Sequence, residues 1–206
     1  DKLEAALVRL ESIPAGVPGL YCGRTEMICE SGLYAGRSPL FASPPSFSHS
    51  LVQCIGGGNT MVFNKAARAL LQEAGFNKLV ASHDWWAYQL ITGAGGIVYY
   101  DPEPKVLYRQ HGDNLVGANS SWAARVVRIR MVFHGRFREW SNQAINALVP
   151  MRHRLDKESL DTLDHFKTAR KQILPFRVLS MLRAGVYRQT LLGNLGLALA
   201  ILLKKI

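Results

Sequence analysis

Hydrophobic positions in this chain fall into short runs separated by glycine and proline. Leu3, Ala6, Leu7 and Leu10 recur at helical spacing, which predicts a helix within residues 1–13, ended by Pro14 and Gly16-Val17-Pro18-Gly19. Residues 20–30 read as strand with a break at Gly23-Arg24, a hairpin at the edge of a sheet. Residues 31–50 turn to Gly, Ser and Pro, including Ser43-Pro44-Pro45-Ser46, and predict a long loop of the kind that more often carries function than structure. A short helix over residues 46–54 leads into Gly56-Gly57-Gly58, residues 59–63 read as a buried strand, and Asn64 caps a helix over residues 65–74. The next helix opens at His83-Asp84, draws apolar bulk from Trp85, Trp86, Tyr88, Leu90 and Ile91, and stops at Gly93-Ala94-Gly95-Gly96. A strand over 96–100, a turn at Asp101-Pro102 and a second short strand over 105–109 follow. This β–α–β rhythm predicts an α/β fold with a mixed sheet.

Beyond residue 120 the pattern becomes helical. Residues 121–149 predict a long helix in which Val126, Ile129 and Val132 alternate with Arg125, Arg128 and Arg130. Residues 156–172 predict another, with Leu160, Leu163, Phe166 and Ala169 on one face, and Pro175 starts a third. The division expected is an α/β part over 1–120 and a basic helical extension over 121–206. The last apolar run, residues 191–203, contains Asn194 and is shorter than the roughly 20 residues needed to span a bilayer. Ending in Lys204-Lys205, it predicts a helix lying in the membrane interface; burial against the domain or a partner is the alternative.

Charge sharpens this picture more than composition does. An apolar fraction of 48% with 19% charged residues in 206 is ordinary for one domain with an appendage. The net charge of +10 is unevenly spread: residues 1–121 balance to −1, residues 122–206 to +11. The basic half therefore suits an anionic partner, phospholipid headgroups or nucleic acid. Its cations are interleaved with aliphatic rather than stacking aromatic side chains and no nucleic-acid motif is present, so nucleic acid is not the expected partner. Cys22, Cys29 and Cys54 have neither C-x-x-C spacing nor an even count, which fits buried thiols in a reducing cytoplasm rather than a disulfide framework or zinc site. The first residue is Asp1 and no charged-then-apolar leader opens the chain, as expected of a processed chain or a fragment.

Candidate chemistry gathers between Gly56 and Asn114. The triple glycine permits close backbone approach, but no Walker-type Lys-Ser/Thr follows, so it is not a phosphate loop. Asn59 and Thr60 offer hydrogen bonds to a sugar hydroxyl. Asp84 stands at a helix start, where the dipole and free N–H groups favour its anion, while neighbouring indoles desolvate it; opposing influences of this kind tune a general base. The plainer alternative is an N-cap beside core tryptophans.

Three patches occur in order: Gly57-Gly58-Asn59-Thr60, His83-Asp84-Trp85-Trp86 and Tyr108-Arg109-Gln110-His111-Gly112-Asp113-Asn114. Together they resemble family 2 glycosyltransferases of the GT-A type, in particular the rhamnosyltransferase-like bacterial subgroup that builds cell-surface polysaccharides. The resemblance extends to Asp1-Lys2-Leu3-Glu4, which looks like the segment just after the family's Asp-x-Asp. It implies inverting transfer of a sugar from a nucleotide-sugar donor to a lipid- or glycan-linked acceptor. Asp84 would be the base, Gly57, Gly58, Asn59 and Thr60 the floor of the acceptor pocket, and His83, Trp85 and Trp86 its surroundings. His111 would ligate Mn²⁺ or Mg²⁺ and Arg109 would neutralise a phosphate oxygen of the leaving nucleotide. His83 stands where the family often has an acidic residue. The Asp-x-Asp motif and the nucleotide-binding strands are not among these 206 residues, so the expectation is the acceptor-side portion, inactive by itself, peripheral on the cytoplasmic face of the membrane. A non-catalytic accessory module derived from such an enzyme is the alternative.

Overall fold

Strand β1 (Gly19–Ile28) is paired along both edges, and the sheet is built outward from it. On one edge β4 (Ile97–Arg109) runs parallel to it, from Gly19 opposite Ile97 to Ile28 opposite Arg109. The other edge is shared by β3 (Val62–Phe63), antiparallel at Leu20–Tyr21, and β2 (Tyr34–Arg37), antiparallel at Glu26–Ile28. The computed structural model describes residues 1–75, 79–109 and 135–206. These form a mixed α/β unit with a four-stranded sheet, followed by several helices.

Several sequence expectations need correction here. β1 continues through Gly23-Arg24 and is central, not an edge hairpin. Gly23 is needed because β4 passes close by: a Cβ there would meet the Asp101 Cβ and carbonyl oxygen at 3.3 Å. The turn expected at Asp101-Pro102 is instead a bulge within one strand, since the register jumps from Gly23–Asp101 to Thr25–Val106. Pro102 and Pro104 fall in the bulge, where the N–H that proline lacks is not missed. Asn59 and Thr60 lie in a 3-10 turn, Gly58–Thr60, and only Val62–Phe63 is strand. The long loop contains β2 and the short helix α2 (Phe47–Ser50).

The helical predictions follow local rules, and helices are found at each of them where the described residues reach, α2 being shorter than expected. α1 (Lys2–Glu11) starts with a reciprocal capping box between Asp1 and Glu4. α3 (Lys65–Ala74) is capped by Asn64, whose Oδ1 also accepts from Gly19 N at 2.9 Å, tying the helix start to the start of β1. α4 (His83–Gly93) ends against Gly96, where a Cβ would lie 2.6 Å from the Ile91 carbonyl and 2.7 Å from that of Pro18. Of the helix expected over 121–149, α5 (Arg136–Leu148) is described; residues 121–134 lie outside the described residues. α6 (Lys157–Lys171), α7 (Leu174–Arg183) and α8 (Leu191–Leu202) complete the chain.

α4 lies between two apolar clusters. Tyr88 and Ile91 pack with Leu20, Cys22 and Ile55 on the sheet side. Trp86 and Leu90 pack with Leu148, Leu163 and Phe166 of the C-terminal helices. Its residues from Trp86 to Gly93 are all buried, as expected for a helix that is apolar around most of its circumference. Among the described residues no helix is long and apolar enough to cross a membrane.

His49, fully buried in α2, joins these parts. Its Nδ1 lies 2.8 Å from the Tyr88 hydroxyl, which accepts from Ser46 N, and its ring packs on Tyr187 beyond α7. Burial, helped by the Arg188 charge and opposed by the Gln53 side chain, lowers its pKa to about 4. The unfolded chain then binds the extra proton more readily, so this contribution to stability is intact above about pH 6.5 and is lost as pH falls toward 4. We predict that denaturant unfolding free energy falls by roughly 3 kcal/mol more in the native chain than in His49→Gln between pH 7 and 4. Parallel pH profiles for the two proteins contradict the assignment.

Candidate functional site

The glycine turn and the start of α4 meet through Asp84. Its Oδ2 accepts from Gly58 N at 3.1 Å and its Oδ1 from Trp85 N at 2.8 Å. Both donors are backbone groups, so the carboxylate is held without a mobile side-chain partner. A carboxylate oxygen can accept more than one hydrogen bond, so each retains capacity for a hydroxyl proton. Ser82, the N-cap, makes no side-chain capping bond, which leaves Asp84 as the carboxylate of the first turn. Cys54 lies close by; burial first, then the Asp84 charge, pushes its thiol up to about 12, so it stays protonated near neutral pH.

Gly58 lets His83 lie over the turn. A Cβ on Gly58 would fall 2.6 Å from the His83 Nε2 and 3.5 Å from the Asp84 Cβ. Gly57 and Asn59 are exposed beside it, and the Asn59 carbonyl accepts from Lys2 Nζ at 3.0 Å. Thr60 faces inward: it is 1% exposed and its hydroxyl donates to the Gly57 carbonyl at 2.8 Å. Its hydroxyl therefore closes the turn rather than pointing outward. Gly57, Gly58, Asn59, His83 and Asp84 form one contiguous polar patch.

The two tryptophans part company. Trp86 is buried in the core shared with the C-terminal helices. Trp85 is half-buried, donates Nε1 to the Ser50 carbonyl at 2.6 Å, and meets Trp140 edge-on at a centroid distance of 5.8 Å. Trp140 in turn meets Phe137 at 5.3 Å. The cleft between Trp85, Trp86, Gln89 and Trp140 has a volume of only about 10 Å³, so these side chains form a shallow surface rather than a deep pocket. Trp140 and Phe137 were not singled out from the sequence; their spacing with Ala144 on one face of α5 was the available signal. Lys2 was visible only as part of the opening segment, and its place beside Asn59 depends on the fold.

Arg109 is not beside Asp84. It pairs with Ile28 at the far end of β1, whereas Gly56 of the glycine turn lies 3.7 Å from the Gly23 carbonyl by its Cβ position. Five residues of strand, roughly 16 Å, separate the two places. The Arg109 guanidinium donates to the Glu30 carbonyl at the β1–β2 hairpin. His111, the expected metal ligand, lies outside the described residues. Among the described residues no three His, Cys, Asp or Glu side chains gather as a metal site, so these residues do not by themselves fit a divalent ion.

Compared with known proteins, the chain is 36% identical over 69 residues to the dTDP-rhamnosyl transferase RfbG of Shigella flexneri. That match covers 34% of this chain and 24% of the relative, so the chain spans about a quarter of the protein it matches. No family model and no solved structure matches the chain. The similarity supports a relationship to glycosyltransferases at that coarse level.

If Asp84 holds the glycine turn to α4, truncating it leaves two backbone donors without their acceptor. Asp84→Ala is predicted to lower unfolding free energy by about 1–2 kcal/mol, and Asp84→Asn, which keeps one acceptor oxygen, by less. The Gly58 amide resonance should move in both variants. An unshifted Gly58 amide rules out the bond.

Proposed function

We propose that this chain is the acceptor-side portion of an inverting glycosyltransferase in which Asp84 is the general base. The observation that carries the reading is the carboxylate itself: fixed by two backbone N–H groups at a helix N-terminus, against an exposed glycine turn and the edge of an aromatic surface. The partial similarity to a rhamnosyl transferase agrees with it.

The acceptor hydroxyl would hydrogen-bond to Asp84. As its oxygen attacks the anomeric carbon of the donor, the proton passes to the carboxylate. The bond from that carbon to the nucleotide diphosphate breaks, and the leaving group departs with the electron pair, so configuration inverts. Asp84 then returns its proton to solvent. Gly57, Gly58 and Asn59 would line the acceptor with backbone and amide groups, and His83 and Trp85 would border it. Binding of the nucleotide-sugar, with any Mn²⁺ or Mg²⁺, belongs to an Asp-x-Asp element that these 206 residues do not contain, with His111 the candidate ligand from this side. No step is therefore assigned to a metal here. The name of the relative makes a dTDP-linked sugar the first donor to test, and a lipid- or glycan-linked saccharide the first acceptor.

In a polypeptide carrying both the nucleotide-binding part and these residues, Asp84→Asn is predicted to lower kcat by about 10²–10⁴-fold, the usual worth of a general base. Acceptor KM should change far less. Single-turnover transfer from a radiolabelled donor would measure both. A variant as fast as the parent removes Asp84 from the chemistry and favours a non-catalytic accessory module that keeps the scaffold.

A further inference from the structure

The helices α7 and α8 are packed together in an arrangement that water alone does not favour. α7 buries Arg177 and Ser180 and leaves Phe176, Leu179 and Leu182 outside, Leu182 at 73% exposure. Burying a guanidinium while large apolar side chains stay in water reverses the ordinary order. The Arg177 cost is offset by its bonds: Nη1 donates to the carbonyls of Ile201 at 2.9 Å and Leu202 at 3.2 Å, and Nη2 to Gln172 at 3.1 Å. The guanidinium thereby caps the C-terminus of α8 and locks the two helices together. α8 has no charged residue from Leu191 to Leu203, yet fully buries only Leu197 and Ala200, while Leu192, Leu195 and Leu199 remain exposed.

Charge bears on what would cover these faces. The 42 residues from His165 to Ile206 contain eight Lys and Arg and no Asp or Glu. Lys171, Arg183 and Lys204, at the ends of α6, α7 and α8, are exposed. A second copy docking here would bring mostly like charges together, since the carboxylates near Arg183 are Glu158 and Asp161 of α6 and residues 165–206 supply none. An anionic bilayer supplies both an apolar layer for the leucines and phosphates for the cations. α8, 12 residues and roughly 18 Å long, is the right size to lie along the interface and too short to cross it.

We propose that α7 and α8 form a preassembled surface that seats this protein in the interface of an anionic lipid bilayer. This surface is independent of the transferase reading, and its test uses no sugar donor. The 206-residue chain is mixed with vesicles of phosphatidylcholine alone or with phosphatidylglycerol, and the bound fraction is measured by flotation. Binding to the anionic vesicles is expected, falling with added salt, and about 100-fold or more weaker on neutral ones. Leu182→Ser and Leu192→Ser should each weaken it by about tenfold or more, because each removes exposed apolar surface that lipid would cover. Arg183→Gln and Lys204→Gln should each weaken it about fivefold. All four positions are exposed, so thermal unfolding of the free protein should not change. Equal binding to both vesicle types, or anionic binding unmoved by the serine variants, overturns the proposal. So does a chain that stays unbound, whether as a monomer or as an oligomer that the same serine substitutions dissociate.

Discussion

Helix α4 is confined on two opposite sides at once, by the sheet through Tyr88 and Ile91 and by the C-terminal helices through Trp86 and Leu90. A helix with one buried face can rock or slide a little on its support, whereas one gripped on both cannot, since close-packed interiors have few voids to move into. The C-terminal helices are thus part of what holds the N-terminal end of α4 in place. Asp84 sits at that end, and its bond to Gly58 carries the constraint into the exposed turn. Positioning of the candidate base therefore depends on packing contributed by Leu148, Leu163 and Phe166, far downstream in the chain.

The polar groups inside this frame are connectors. His49, Tyr88 and Ser46 link α2 to α4, and the Tyr187 hydroxyl bonds both Ser46 and the Pro44 carbonyl, which fastens the chain after α7 to the proline-rich loop. Tyr21 donates to Asp101 at 2.6 Å across the β1–β4 pair, and burial together with this bond holds its phenol neutral. A buried donor or acceptor left alone costs more than a satisfied one returns. Such networks favour a single arrangement of the elements they join, which a loosely defined apolar contact does not.

What the sequence revealed divides along the range of the interaction. Asn64 as a cap, Asp84 in the first turn of α4 and Pro175 at the start of α7 follow from a few neighbouring residues, and the structure has all three. The mixed α/β class followed from the alternation of strand and helix patterns. The bulge in β4 did not, because Asp101-Pro102-Glu103-Pro104 reads as a turn until β1 is seen to continue on both sides of it. The separation of Arg109 from Asp84 depends on the β1–β4 register, and the burial of Arg177 on where the carbonyls of α8 end. Asn59 and Thr60 are alike in sequence as hydrogen-bonding residues, but in the 3-10 turn Asn59 is exposed while the Thr60 hydroxyl donates to the Gly57 carbonyl. Neither register nor turn geometry is written in any short window.

The parallel pairing of β1 with β4 also has a kinetic side. Gly19 and Ile97 are 78 positions apart, and all of β2, β3 and α2 to α4 lie between them. Closing so long a loop costs chain entropy before any ladder bond repays it, and contacts of this range slow folding. Once α3 and α4 have formed, the effective loop is much shorter, because helices replace flexible chain with compact rods. During synthesis β1 emerges well before its partner and carries Leu20, Tyr21 and Cys22 unprotected until β4 arrives. The strand that anchors the finished sheet is, for that interval, the segment most open to pairing with the wrong neighbour.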